Sequence, residues 1–325
     1  MEKTDVLLET QGLKKYFESR KFPKRTSVLK AVDNVSIKIR RHETMGLVGE
    51  SGCGKSTLGR AILKLHEPTD GKIIFDGSEI QNYKFKQMRQ IRRKMQMIFQ
   101  DPFASLNPRK TIMYSVKAPL DVAGIGTAAE REEKVYELLN YVGLNPSFAQ
   151  KFPHEMSGGQ RQRVVIARAM IIDPEFVVCD EPVSALDVSV RAQVLNLMKK
   201  VQEEKKVSYL FISHDLSVVR YLCDTVAVMY LGKIVEYGSK HEIFENPVHP
   251  YTKALLSAIP SPAIVDRPQR IILEGDVPSP LNPPSECRFR TRCPYATAVC
   301  SDLEPELRTV EGTHQVACLN YKHLG

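Results

Sequence analysis

The run Thr44-Met-Gly-Leu-Val48 passes without a break into Gly49, Glu50, Ser51, Gly52, Cys53, Gly54, Lys55, Ser56 and Thr57, and then into the helically spaced run Leu58 to Leu65. The first five residues read as a buried strand, and the next nine satisfy G-x-x-x-x-G-K-[ST]. A strand before this spacing and a helix after it form the context in which it carries chemistry. Glycines let backbone N–H groups wrap an anion without Cβ collisions, and the start of the helix adds the positive end of its dipole. Lys55 can reach β- and γ-phosphates, and the Ser56 hydroxyl can ligate Mg²⁺. The stretch reads as a cradle for a nucleoside triphosphate.

Strand candidates spread outward from it. Lys72-Ile-Ile-Phe75 ends at Asp76-Gly77, a hairpin signal. Met95–Phe99, Phe176–Cys179, Tyr209–Ile212 and Thr225–Met229 are further short apolar runs. Alternation with helical patterns predicts an α/β core over residues 1–240. Between about 102 and 170 the spacing turns helical, as at Val135, Leu138, Leu139 and Val142, and predicts an inserted helical subdomain. Past 240 proline density rises between Pro247 and Pro284, around a short helix expected at Tyr251–Ile259. Residues 241–325 are expected to form an irregular appendage on a stiff, extended linker.

Bulk properties exclude several classes. With 42% apolar and 26% charged residues in 325, the chain is not predominantly disordered. No run of about 18 apolar residues occurs, so no spanning helix is expected. The start MEKTDVLLETQ lacks a basic-then-apolar leader, so a cytosolic location is expected. A net charge of +8 admits a nucleic-acid or anionic-membrane partner. The plainer reading is a solubilising excess, with the densest run, Lys84 to Lys94, a solvated helix face. Cys53, Cys179 and Cys223 lie among apolar or motif residues and read as packed thiols. Cys287, Cys293, Cys300 and Cys318 crowd near the end, where a metal site is the expectation in a cytosolic chain.

Two further elements complete a pattern. Phe176-Val-Val-Cys179 ends in Asp180, Glu181 and Pro182. Asp180 suits Mg²⁺, and Glu181 can polarise an attacking water as a general base. Ser157, Gly158, Gly159 and Gln160 open a helical run about twenty residues before Asp180. Ser157 can cap that helix, while the glycines leave its first N–H groups open to a phosphate. Between a phosphate loop and an Asp-Glu strand end, this stretch resembles the signature of ABC ATPases, with Met156 where leucine is usual.

The resemblance covers about residues 6–240. It implies that Gln100 links Mg²⁺ and water to the helical subdomain, and that Ser184-Ala-Leu-Asp187 communicates across a dimer. It also implies that His214 contacts the γ-phosphate, and that Tyr16 or Phe17 stacks on adenine, with spacing from Leu13 favouring Phe17. ATP would lie between the glycine loop of one subunit and Ser157–Gln160 of another, sister or self. Two transmembrane permease subunits, an extracellular solute-binding protein and a peripheral seat at the cytoplasmic membrane face follow as expectations, with no nucleic acid. A permease coupling helix would dock near Gln100 to Met113.

Asn246-Pro-Val-His-Pro-Tyr-Thr-Lys-Ala-Leu-Leu-Ser-Ala-Ile-Pro260 and Gly275-Asp-Val-Pro-Ser-Pro-Leu-Asn-Pro-Pro284 resemble the tail of oligopeptide and dipeptide importer ATPases. Cys287-Arg-Phe-Arg-Thr-Arg-Cys293-Pro with Cys300 extends that match, which is closest to the F-type ATPase of dipeptide permeases. Nickel or glutathione import, a non-transport ABC ATPase and an iron–sulfur sensor are the alternatives. The quartet spacing C-x5-C-x6-C-x17-C can hold a [4Fe–4S] cluster or zinc, or leave packed thiols. The resemblance implies the [4Fe–4S] cluster, in a structural role.

Overall fold

The computed structural model describes residues 5–21, 25–259 and 270–323. Residues 260–269 of the expected linker, including Pro260, lie outside the described residues. The chain divides into two compact units, Met1–Asn82 with Ile212–Gly325, and Tyr83–Phe211.

The first unit opens with two long antiparallel strands, β1 (Val6–Lys21) and β2 (Arg25–Arg40). Val32, Val35, Ile37 and Ile39 are buried on β2, near the two-residue period of a strand with one face on a core. Where the register shifts after Thr10, its buried hydroxyl donates to Val35 O and accepts from Ile37 N, each at 3.1 Å. The strand β3 (Thr44–Val48) is buried at every position, as its unbroken apolar run requires. The helix α1 (Lys55–Ile62) follows. Then β4 (Asp70–Phe75) and β5 (Ser78–Glu79) form the expected hairpin, with Asp76 at φ 49° and Gly77 at φ 75°. These strands make an antiparallel sheet ordered β2-β1-β4-β5.

The second unit contains α2 (Phe85–Lys94), β6 (Met95–Ile98), α3 (Ile112–Ala123) and α4 (Ala128–Tyr141). It continues through α5 (Gly158–Met170), β7 (Phe176–Asp180), α6 (Val188–Lys205) and β8 (Ser208–Ile212), whose last residue crosses its boundary. Strand order is β8-β7-β6, with β6 and β7 parallel. Among the described residues no strand falls between 99 and 175. Val135, Leu138 and Leu139 form the buried side of α4, which a reciprocal Thr127–Glu130 box caps. The unit begins at 83 and takes in three strands, so it is larger than the helical block read from 102 to 170.

The chain returns to the first unit with α7 (Leu216–Leu222), β9 (Thr225–Tyr230) and β10 (Lys233–Ser239). Beyond them come α8 (Lys240–Glu245), α9 (Pro250–Ser257), α10 (Val299–Asp302), β11 (Arg308–Glu311) and β12 (His314–Val316). The strands run β11-β12-β10-β9-β3, with β3 and β9 parallel. The appendage is therefore not wholly irregular, because its final hairpin lengthens the core sheet. A buried carboxylate anchors the junction. Glu236, fully buried on β10, accepts from Val248 N at 2.6 Å, His249 N at 3.1 Å and His314 Nε2 at 2.8 Å.

Candidate nucleotide site

The glycine loop belongs to the first unit. Gly49 has φ 151° and Gly54 φ 109°; a Cβ on them would meet Met229 O at 2.1 Å and Ala31 O at 2.0 Å. Neighbouring backbone thus requires glycine at both ends of the motif, beyond the need to wrap an anion. Lys55 is buried, and its Nζ donates to Gly49 O at 2.8 Å and Glu50 O at 2.9 Å, beside Cys53 Sγ at 3.8 Å. No side chain caps α1 and its first turn holds no acid, leaving the positive helix end to an anion. Ser51 and Gly52 are exposed, while Ser56 and Thr57 are half-buried. These features fit a bound triphosphate.

His214 is exposed, next to Ser213, whose N–H bonds Leu47 O at 3.2 Å. Tyr16 and Phe17 are both half-buried on β1. The Tyr16 hydroxyl donates to Asp33, whereas the Phe17 ring meets His66 edge-on at 5.5 Å, with Lys15 Nζ 4.8 Å from its centre.

The second unit holds the acidic candidates. Asp180, the last residue of β7, is 1% exposed. The Glu181 carboxylate accepts from Gln100 Nε2 at 3.0 Å, joining two candidates 81 residues apart. Glu181 has φ 47°, a left-handed backbone that a non-glycine residue adopts at a cost of about 1–3 kcal/mol. Ser184 Oγ and Ser184 N both donate to Glu181 O, at 3.0 and 3.3 Å, and hold the turn.

Ser157 caps α5 as its spacing predicts, accepting from Gln160 N at 3.3 Å while Gln160 Oε1 accepts from Ser157 N at 3.0 Å. Gly159 packs so tightly that a Cβ would lie 2.3 Å from Val190 Cγ1, and Gly158 faces Leu186. Asp187 begins α6 without a side-chain cap bond and is exposed.

One feature of this unit escaped the sequence. A groove of about 660 Å³ runs along Phe85, Arg89, Arg92 and Arg93 of α2 and Tyr114 and Val122 of α3. Phe85 is 75% and Val122 70% exposed. The basic run 84–94 is thus more than a solvated face, since one side of α2 lines this groove.

Cys287, Cys293, Cys300 and Cys318 line one small cavity with Phe289 and His249. Among the described residues, however, no group of three or more His, Cys, Asp or Glu could hold a metal ion. The thiols share a cavity without forming a ready-made metal site. Burial pushes Cys287 and Cys293 up and Cys318 up to about 11. Neighbouring thiols add to that rise, while backbone N–H groups of Phe289, Tyr295 and Asn320 work the other way.

The same segment touches the glycine loop. Arg292 Nη1 reaches both Glu50 carboxylate oxygens at 3.1 and 2.9 Å, and Glu50 N donates to Tyr251 Oη at 2.8 Å. No local signal could have revealed pairs 242 and 201 residues apart.

Comparison with known proteins agrees with this architecture. The ABC transporter family pattern matches residues 32–184, and the C-terminal region of oligopeptide/dipeptide transporters matches 235–300. The oligopeptide transport ATP-binding protein AppF of Bacillus subtilis (strain 168) is 53% identical over 98% of this chain and 98% of its own length. The dipeptide transport ATP-binding protein DppF of Haemophilus influenzae is 49% identical over 97% and 96%. Among solved structures, a dimeric post-hydrolysis state of the ATP-binding cassette MJ0796 with ADP and Pi superposes with TM-score 0.65. It is 29% identical, and the match covers 72% of this chain and 99% of that one. CbiO1 of Clostridium perfringens, part of the transporter complex cbiONQ, gives TM-score 0.65 at 27% identity, over 75% and 92%. With near-full-length likeness of this kind, the chain belongs to the ABC transporter ATP-binding proteins, in their oligopeptide/dipeptide branch.

Proposed function

We propose that the chain is the ATP-hydrolysing subunit that powers peptide import by an ABC transporter. The observation that carries this reading is the Gln100–Glu181 hydrogen bond at the end of a buried strand, in a chain that also carries a complete glycine cradle. Lys55 and the loop N–H groups hold the phosphates, and Tyr16 or Phe17 holds the base. Ser56, Gln100 and Asp180 would hold Mg²⁺, which when bound neutralises phosphate charge. Glu181 takes the proton of the attacking water, Gln100 orients its carboxylate, and His214 meets the γ-phosphate. Ser157–Gln160 and Asp187 serve a second copy or a sister ATPase across an ATP sandwich. The γ-phosphate supplies differential affinity for the closed dimer, the condition for a ligand-driven switch.

The groove on α2 and α3 is the seat we assign to a permease helix. Its exposed Phe85 and Val122 and its arginine rim suit an amphipathic helix with acidic residues. No helix among the described residues is long and apolar enough to cross a membrane, so membrane attachment at the cytoplasmic face would come through such a partner. For the four cysteines we favour a [4Fe–4S] cluster. What supports it is the gathering of all four thiols around one small cavity, together with the resemblance of this tail to that of importer ATPases. The cluster's bonds would pin the appendage. Anaerobic purification should then yield a brown protein containing iron and sulfide; colourless, iron-free protein overturns this assignment.

Glu181→Gln tests the central claim. MgATP binding should persist while hydrolysis falls about 10²–10⁴-fold, the usual worth of a general base. Unchanged phosphate release would remove Glu181 from that role. Reconstitution with the permeases and labelled di- and oligopeptides tests the solute; uptake of nickel or glutathione instead would move the chain to another importer class.

A further inference from the structure

The segment Cys287–Cys293 carries more than its cysteines. Arg288 is 7% exposed, bonds Asp33 and Leu231 O, and so grips a residue that also receives the Tyr16 hydroxyl. Phe289 is 2% exposed and packs between Tyr230 and Tyr251, with ring centres 5.3 and 5.5 Å away. Four residues after Arg288, the Arg292 side chain is 8% exposed and grips Glu50, whose own side chain is 25% exposed. Tyr251 Oη accepts the Glu50 N–H. The loop is also braced from β9–β10, where Gly232 N donates to Cys53 O at 2.8 Å.

We propose that Arg292, with Tyr251, is a positioning residue for the phosphate cradle, and that the appendage thereby sets ATP affinity. This deepens the ATPase reading and rests on it. Glu50 places a carboxylate in the loop meant to receive a triphosphate. In a poorly solvated site a like charge repels strongly, and a close cation cancels it. Arg292 supplies that cation and fixes the carboxylate through one nitrogen shared by both oxygens. Burial works against the Arg292 charge, but its bonds to Glu50 outweigh it and hold the guanidinium above its ordinary pKa. Arg292 has no part in the chemistry itself, so its loss falls on binding and not on turnover.

The test measures MgATP binding and hydrolysis by the full-length chain, with thermal melting as a control for folding. Arg292→Met should weaken MgATP and raise KM about tenfold with kcat within about twofold, as expected for an uncompensated, partly buried charge. Arg292→Lys keeps the cation and should recover most of the affinity. Adding Glu50→Gln to Arg292→Met should also tighten binding, because the unpaired carboxylate is gone. Wild-type affinity in Arg292→Met, or a double variant no tighter than the single, overturns the proposal while leaving the ATPase reading intact. A wild-type chain that does not bind MgATP overturns both. Should Arg292→Met melt below assay temperature, Arg292→Lys and the double variant decide the same question.

Discussion

The loop at 49–57 and the loop at 287–293 meet at Glu50, and they are built by opposite means. The first acts through consecutive residues, with glycines, Lys55 and a helix start in fixed order. The second acts through side chains that meet partners far off in the chain, Arg292 on Glu50 and Arg288 on Asp33. Chemistry written in spacing survives in any chain that preserves the spacing. Chemistry written in pairs depends on everything that brings the partners together.

The sharpest way to break the contrast is inside the glycine loop. Gly54→Ala drives a Cβ into Ala31 O at φ 109°, and that obstacle is backbone, which cannot swing aside. Nucleotide binding should be lost, and denaturant unfolding should show a loss of about 3–4 kcal/mol. A smaller loss would mean that the loop tolerates rearrangement.

Next in size is a pH effect on the appendage side. Burial lowers His249 to about 4, against the opposing pull of Glu236. Between about 4 and 6.5 the unfolded chain therefore binds the extra proton, so stability rises with pH across that window and is lost as pH falls through it. Up to about 3 kcal/mol is at stake. Urea titrations at pH 6.5 and 4.5, with His249→Gln as reference, should show the wild type losing more; equal losses would show that His249 does not titrate in this way.

The smallest effect returns to the loop. Gly52 has φ 78°, yet a Cβ there meets nothing within 4 Å. Gly52→Ala should cost only about 1 kcal/mol, the backbone strain alone. The gap between Gly54→Ala and Gly52→Ala in melting and binding assays measures how much of the motif is packing and how much conformation.

What could be read from the chain follows the same division. The strand at 44–48, the hairpin at Asp76–Gly77 and the Ser157 cap were legible because propensity and spacing act within a few residues. Spacing pointed to Phe17 over Tyr16, and the structure adds that the Tyr16 hydroxyl is tied to Asp33. The left-handed Glu181, the groove on α2 and the Arg292–Glu50 pair were not legible, since each arises from tertiary neighbours. The basic run 84–94 shows the middle case, where sequence found the helix and missed what its arginines line. The cysteine quartet shows another, where sequence found the gathering of thiols and not their arrangement.

The pairing of β12 with β10 has a consequence for the life of the molecule outside its working state. A chain clipped between α10 and β11 would uncover the backbone of β10, a ready template for any stray extended segment. Proteolysis at that point would then threaten solubility first and activity second, so the short terminal hairpin doubles as a guard against self-association.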